Sequence, residues 1–72
     1  MKLTMLAKDM SSGEQGCPSC YLGDDLMAYV QAEEATSDAY EAAVNLLPRE
    51  RIVRIDPQVI LDAADRIRAH AA

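Results

Sequence analysis

Apolar and polar residues alternate from Lys2 to Lys8. Leu3, Met5 and Ala7 fall on one side, and Lys2, Thr4 and Lys8 on the other. A period of two is that of a half-buried strand. Leu6 falls on the polar side and breaks the alternation. From Asp9 to Ser19 the chain carries two Gly, one Pro and three Ser, which predicts a loop.

Two apolar runs follow, Cys20–Leu22 and Leu26–Ala32, separated by Gly23-Asp24-Asp25. Gly and Asp are turn residues, so this stretch reads as a β-hairpin. Leu26, Ala28 and Val30 would share one face, and Met27 and Tyr29 the other. A helix from Asp24 into Glu33-Glu34 competes with it, because Leu, Met, Ala and Gln are good helix formers.

The spacing then changes to that of a helix over 37–47. Tyr40, Ala43, Val44 and Leu47 fall at i, i+3, i+4 and i+7. Thr36 or Ser37 can cap it, Asp38 and Glu41 suit its positive end, and Pro48 ends it. Arg51–Ile55 is short and β-branched, a strand. Asp56-Pro57 opens a last helix, with Asp56 as N-cap and Pro57 at the first helical position. Its expected buried stripe is Ile60, Ala63, Ala64, Ile67 and Ala71. Asp62 and Arg66 are spaced for an i,i+4 ion pair, and Arg66, Arg68 and His70 suit the negative end of its dipole.

This order predicts an α+β fold in one domain, 1–72. A small, mostly antiparallel sheet would take the N-terminal strand, the hairpin and the later strand, with both helices packed on one face. Seventy-two residues without Trp or Phe leave a thin core of Leu, Ile, Val, Met and Ala. A partner, a metal or a second copy would reinforce it.

The formal net charge is -5. Residues 1–48 hold two Lys against eight acids, and residues 49–72 hold five Arg against four. That balance disfavours direct binding of nucleic acid and suggests a protein partner with a basic surface, although the charge alone favours the plainer reading, a solvated acidic surface that aids solubility. No stretch approaches the roughly 20 apolar residues that cross a bilayer, and the N-terminal apolar run is too short for a secretory signal. A cytoplasmic protein without membrane contact is expected.

Cys17-Pro18-Ser19-Cys20 is the local motif that carries chemistry. A redox dithiol would use Cys17 as nucleophile and Cys20 as resolving thiol, with Cys17 at a helix N-terminus to stabilise its thiolate. Asp24 and Asp25 follow closely, and their charge disfavours thiolate. A zinc site needs four ligands, of which Cys17 and Cys20 are half; His70 is distant, so two copies would have to pool their pairs. In the third reading both are reduced, partly buried small hydrophobes in a loop that feeds a strand. The residues favour this third reading.

Asp24, Asp25, Glu33, Glu34 and Asp38 lack the spacing and central Gly of a calcium loop and read as a solvated acidic face. Arg49, Arg51 and Arg54 have Glu50 and Asp56 beside them to neutralise them locally. No catalytic constellation and no cofactor site is expected. The candidate interaction residues are Asp24, Asp25, Glu33, Glu34, Arg51 and Arg54.

Two resemblances add to this. The opening strand, Cys17-Pro18-Ser19-Cys20 and Pro57-Gln58-Val59-Ile60 look like the thiol pair and proline-led strand of glutaredoxins. That would require Gly23-Asp24-Asp25 inside a helix and a strand where Asp56-Pro57 reads as a helix start. More extensively, Gly16-Cys17-Pro18-Ser19-Cys20-Tyr21, Val30-Gln31, Leu47-Pro48-Arg49-Glu50, Val53 and Pro57 form a pattern over residues 16–61. It resembles a group of short uncharacterised actinobacterial proteins with a Gly-Cys-Pro-(Thr/Ser)-x-Tyr motif, often encoded near helix-turn-helix regulators. That group tends to have an apolar residue where this chain has Cys20, which makes the second thiol incidental, and a Gly after the position of Pro48. The resemblance implies a regulatory or accessory role and brings no catalytic residues. The expected function is a non-enzymatic acidic partner of a DNA-binding regulator, with self-association as a homodimer a further expectation. A glutaredoxin-like thiol protein and a zinc-stabilised dimer are the alternatives.

Overall fold

The computed structural model describes residues 1–10 and 17–71, with side chains through His70. Most of the expected loop at 9–19, and the side chain of Ala71, lie outside the described residues.

Strand β1 (Leu3–Lys8) pairs antiparallel with β2 (Ser19–Gly23), and β2 pairs antiparallel with β3 (Ala28–Gln31), in the order β1-β2-β3. The hairpin forms where the sequence predicts it, and the competing helix does not. Gly23 N–H donates to Met27 O at 2.9 Å, and Leu26 N–H donates to Gly23 O at 3.0 Å. Leu26 sits in the turn at φ 70, so it does not share a strand face with Ala28 and Val30 as expected. Gly23 is required by space. A Cβ there would lie 2.5 Å from both Asp25 Oδ1 and Tyr29 Cε1, two side chains that are bonded to each other.

A register shift in β1 corrects the expected strand faces. Met5 pairs with Tyr21 and Ala7 with Cys20, so Leu6 is the additional residue of a bulge. A bulge re-aims the side chains around it. Leu6 is buried at 5% exposure, whereas Leu3, expected inside, is 47% exposed. Strict alternation fails here because one residue leaves the ladder.

Helix α2 (Pro57–Ala71) starts as predicted. Asp56 Oδ1 accepts the Gln58 N–H at 2.9 Å, an N-cap bond. The helix lies across β1 and β2 and seats Val59 and Ala63 against Leu6 and Cys20. Ala7, Leu22 and Ile55 pack around this cluster. The buried face is therefore rotated from the expected stripe: Val59 is inside, while Ile60 stays 51% exposed. Asp62 does not pair with Arg66; it accepts the Gln58 side-chain amide at 2.8 Å, and Arg68 pairs with Asp65.

The later strand does not enter the main sheet. β5 is only Val53–Arg54 and forms a separate two-stranded ladder with β4 (Glu33–Glu34). Helix α1 spans Ser37–Ala42, shorter than the expected 37–47, and buries no residue. Ala43 turns extended and Asn45 is left-handed at φ 58. A helix this short needs tertiary packing to persist, and only Ala39 and Tyr40 of α1 are partly buried. The Tyr40 hydroxyl donates to Glu34 Oε1 at 2.8 Å and accepts the Ile52 N–H at 3.1 Å. So α1 is tied to the β4–β5 ladder by a phenol; α2 is the helix packed on the sheet.

Leu6→Ala should cost roughly 2–4 kcal/mol in urea unfolding, because it empties part of a very small core. Leu3→Ala, by the expected pattern the inward residue, should cost less than about 1 kcal/mol. The opposite ranking would contradict the bulge.

Candidate functional site

The cysteine pair is placed by the start of β2. Pro18 O accepts the Asp9 N–H at 2.8 Å, which continues the β1–β2 ladder one step beyond Lys8 and Ser19. The segment between the two sulfurs is thus strand-like and leads into a strand, not a helix. The two cysteines are free thiols. Both side chains are buried. Ser19 between them is the most enclosed of the described residues, and its hydroxyl donates to Cys17 O at 3.0 Å.

Cys20 is a core residue, packed with Leu6, Val59 and Ala63. Burial raises its thiol pKa above the ordinary value. A raised pKa means less Cys20 thiolate at neutral pH, as befits a thiol used as packing. The glutaredoxin-like arrangement is not formed: the chain after Cys20 is a hairpin, and Pro57 opens α2 rather than a strand. Among the described residues, no three His, Cys, Asp or Glu side chains converge to hold a metal ion.

The expected interaction residues are exposed but dispersed. Asp24 and Asp25 occupy the hairpin turn, and Glu33 and Glu34 form β4 beyond the far end of β3. Within the turn, Asp25 accepts hydrogen bonds from the Tyr29 hydroxyl and from the Met27 N–H at 3.1 Å. These hold its carboxyl below the usual range and raise the Tyr29 phenol. Asp24 Oδ2 accepts the Lys2 N–H at 3.1 Å. Arg54 stands opposite Glu33 in the ladder, and Arg51 reaches Glu34 at 4.0 Å. An exposed pair at that distance contributes little to stability. Arg51 also donates to Pro48 O and Glu50 O, so it braces the turn at 47–50.

The structure assembles a different acidic site. Asp9, Asp56 and Asp62 line one cleft of about 280 Å³, floored by Val59 and bordered by Lys8, Met10 and Gln58. Gln58 organises two of the three carboxylates: its N–H bonds Asp56 Oδ1, and its side-chain amide bonds Asp62 Oδ1. Sequence reasoning missed this site. Asp9 and Asp62 are 53 positions apart, and only the packing of α2 on β1 brings them together. A larger hollow of about 850 Å³ lies between the β4–β5 ladder and the start of α2, walled by Pro18, Glu33, Arg54, Ile55, Asp56 and Ile60. A third, apolar cleft of about 230 Å³ opens beside β3.

No family model, no curated protein and no solved structure matches the chain. Among the described residues, no helix is long and apolar enough to cross a membrane.

Cys20 in the native chain should react with iodoacetamide at pH 8 at least about tenfold more slowly than in urea-unfolded chain, because it is both enclosed and short of thiolate. Mass-spectrometric mapping of the modified cysteine checks this. Equal rates in the two states would contradict the burial of Cys20 in the core.

Proposed function

We propose that this chain is a non-enzymatic interaction protein that docks acidic side chains on a basic surface of a DNA-binding transcriptional regulator. The observation that carries the reading is the cleft lined by Asp9, Asp56 and Asp62. It is wide enough for a Lys or Arg side chain, and its apolar floor at Val59 suits the methylene stem of either. Guanidinium groups bind carboxylates in bidentate fashion, and two carboxylates are already oriented by Gln58. The net charge of -5 steers a basic partner toward the chain from a distance.

The regulator class comes from the resemblance of residues 16–61 to actinobacterial proteins encoded near helix-turn-helix regulators. Such a regulator presents cationic side chains to DNA phosphate, and an acidic protein on that face competes with the phosphate. Burial of Cys20 in the core and the strand that follows Cys17 support the non-enzymatic reading over the thiol–disulfide one.

The test is to titrate the chain into the complex of an affinity-captured helix-turn-helix regulator with its DNA, followed by fluorescence anisotropy. The chain should weaken DNA binding, less so as salt rises, and Asp56→Asn with Asp62→Asn together should weaken the effect by about tenfold. No change in DNA affinity at any chain concentration would overturn the proposal.

A further inference from the structure

The hollow of about 850 Å³ beside the β4–β5 ladder opens along the edge of a strand. Five consecutive residues, Val53 to Pro57, line it. Successive strand residues point to opposite faces, so a hollow lined by all of them runs beside the backbone. The ladder register says which backbone groups look that way. Ala35 N–H donates to Ile52 O at 2.9 Å, so Ile52 and Arg54 turn their backbone groups toward β4. Those of Val53 and Ile55 therefore turn outward. Among the described residues, neither Val53 nor Ile55 has a hydrogen-bond partner for its N–H or its C=O. Spaced two apart, these four groups are a template for one more strand.

The side chains around this edge set what that strand must carry. Glu33 and Arg54 are partners in the ladder, yet among the described residues neither side chain makes a hydrogen bond or an ion pair. The Arg54 guanidinium is thus open to a carboxylate on its outer side, with Glu33 on its inner side. Ile55 and Ile60 add apolar surface to the hollow. Asp56, two residues on from Arg54, borders both this hollow and the acidic cleft with Asp9 and Asp62.

We propose that an extended segment of the regulator adds to β5 in this hollow as an antiparallel third strand. The inference rests on the docking reading above and specifies the shape and sequence of the docked segment. A basic residue opposite Asp56 reaches into the acidic cleft. An acidic residue two positions later stands opposite Arg54, and apolar residues between and after them lie opposite Ile55 and Val53. Backbone hydrogen bonds hold the segment, and the two opposite-charge pairs fix its register. A helical segment bonds its own backbone and leaves the outward groups of Val53 and Ile55 unused, so the extended form is the occupant they select.

Titration of the peptide acetyl-Lys-Val-Glu-Val-Lys-amide into the isotope-labelled full chain, followed by NMR, tests this. Saturable binding is expected, with the amide resonances of Val53 and Ile55 moving most. The same peptide N-methylated at both valines keeps its charges and loses its donors to β5; it should bind at least about tenfold more weakly. Arg54→Glu should weaken the unmodified peptide by about tenfold, and a peptide with Lys in place of its Glu should restore binding to that variant. No shift of the Val53 and Ile55 amides up to about 5 mM peptide would overturn the proposal. Equal binding of the N-methylated peptide would overturn it as well, since charge alone would then account for the contact. Either result leaves docking of the acidic cleft on a regulator standing, because that is read on DNA affinity with the Asp56→Asn and Asp62→Asn chain.

Discussion

Everything in this chain hangs on the seat of Val59 and Ala63 on Leu6 and Cys20. It is the place where helix and sheet exclude water together, and it contains no large side chain beyond Leu6 and Val59. The seat fixes the rotation of α2, and that rotation fixes what the rest of the helix presents. One flank carries Asp56, Gln58 and Asp62 past the end of β1; the other carries Ile60, Ala64 and Ile67 past β3. A turn of the helix by one residue would submerge Ile60 and lift Val59, closing the apolar cleft and dismantling the acidic one. The core thus positions two clefts on opposite sides of one helix.

The seat also decides the fate of the thiols. Cys20 is consumed as packing material, and burial penalises its thiolate. Outside this core the chain is held by polar ties. The Tyr40 hydroxyl bridges α1 to Glu34 and Ile52, Glu50 closes the turn at 47–50, and Asp25 closes the hairpin on Tyr29. Exposed hydrogen bonds of this kind contribute on the order of 1 kcal/mol each, so α1 and the β4–β5 ladder belong to the weaker part of the molecule.

Local chemistry made several elements legible in advance. Asp56-Pro57 announces the start of α2, Gly23-Asp24-Asp25 announces the hairpin turn, and the small apolar set forecasts a thin core. What could not be read depended on pairings between distant residues. The bulge that turns Leu6 inward is a property of the β1–β2 register, and nothing near Leu6 encodes it. The stripe of Ile60, Ala64 and Ile67 has the helical period of a buried face, yet Ile60 and Ile67 stay 51% and 38% exposed at the edge of the cleft beside β3. A periodic stripe marks a face that needs covering; it does not say that the same chain covers it. Helix α1 stops at Ala42 because no surface is offered to Val44 and Leu47, although their spacing suits one. The Asp9, Asp56 and Asp62 cleft was invisible for the same reason.

Native-state hydrogen exchange, read residue by residue by NMR, tests the central claim most directly. If the seat of α2 on β1 and β2 carries the fold, the amides of Cys20, Tyr21 and Leu22 and those of the middle of α2 share the slowest exchange and open only with global unfolding. The amides of α1 and of 43–52 then exchange through local opening, by at least about a hundredfold faster. If α1 were protected as well as α2, or if β2 exchanged as fast as the turn at 47–50, the fold would rest on some other contact.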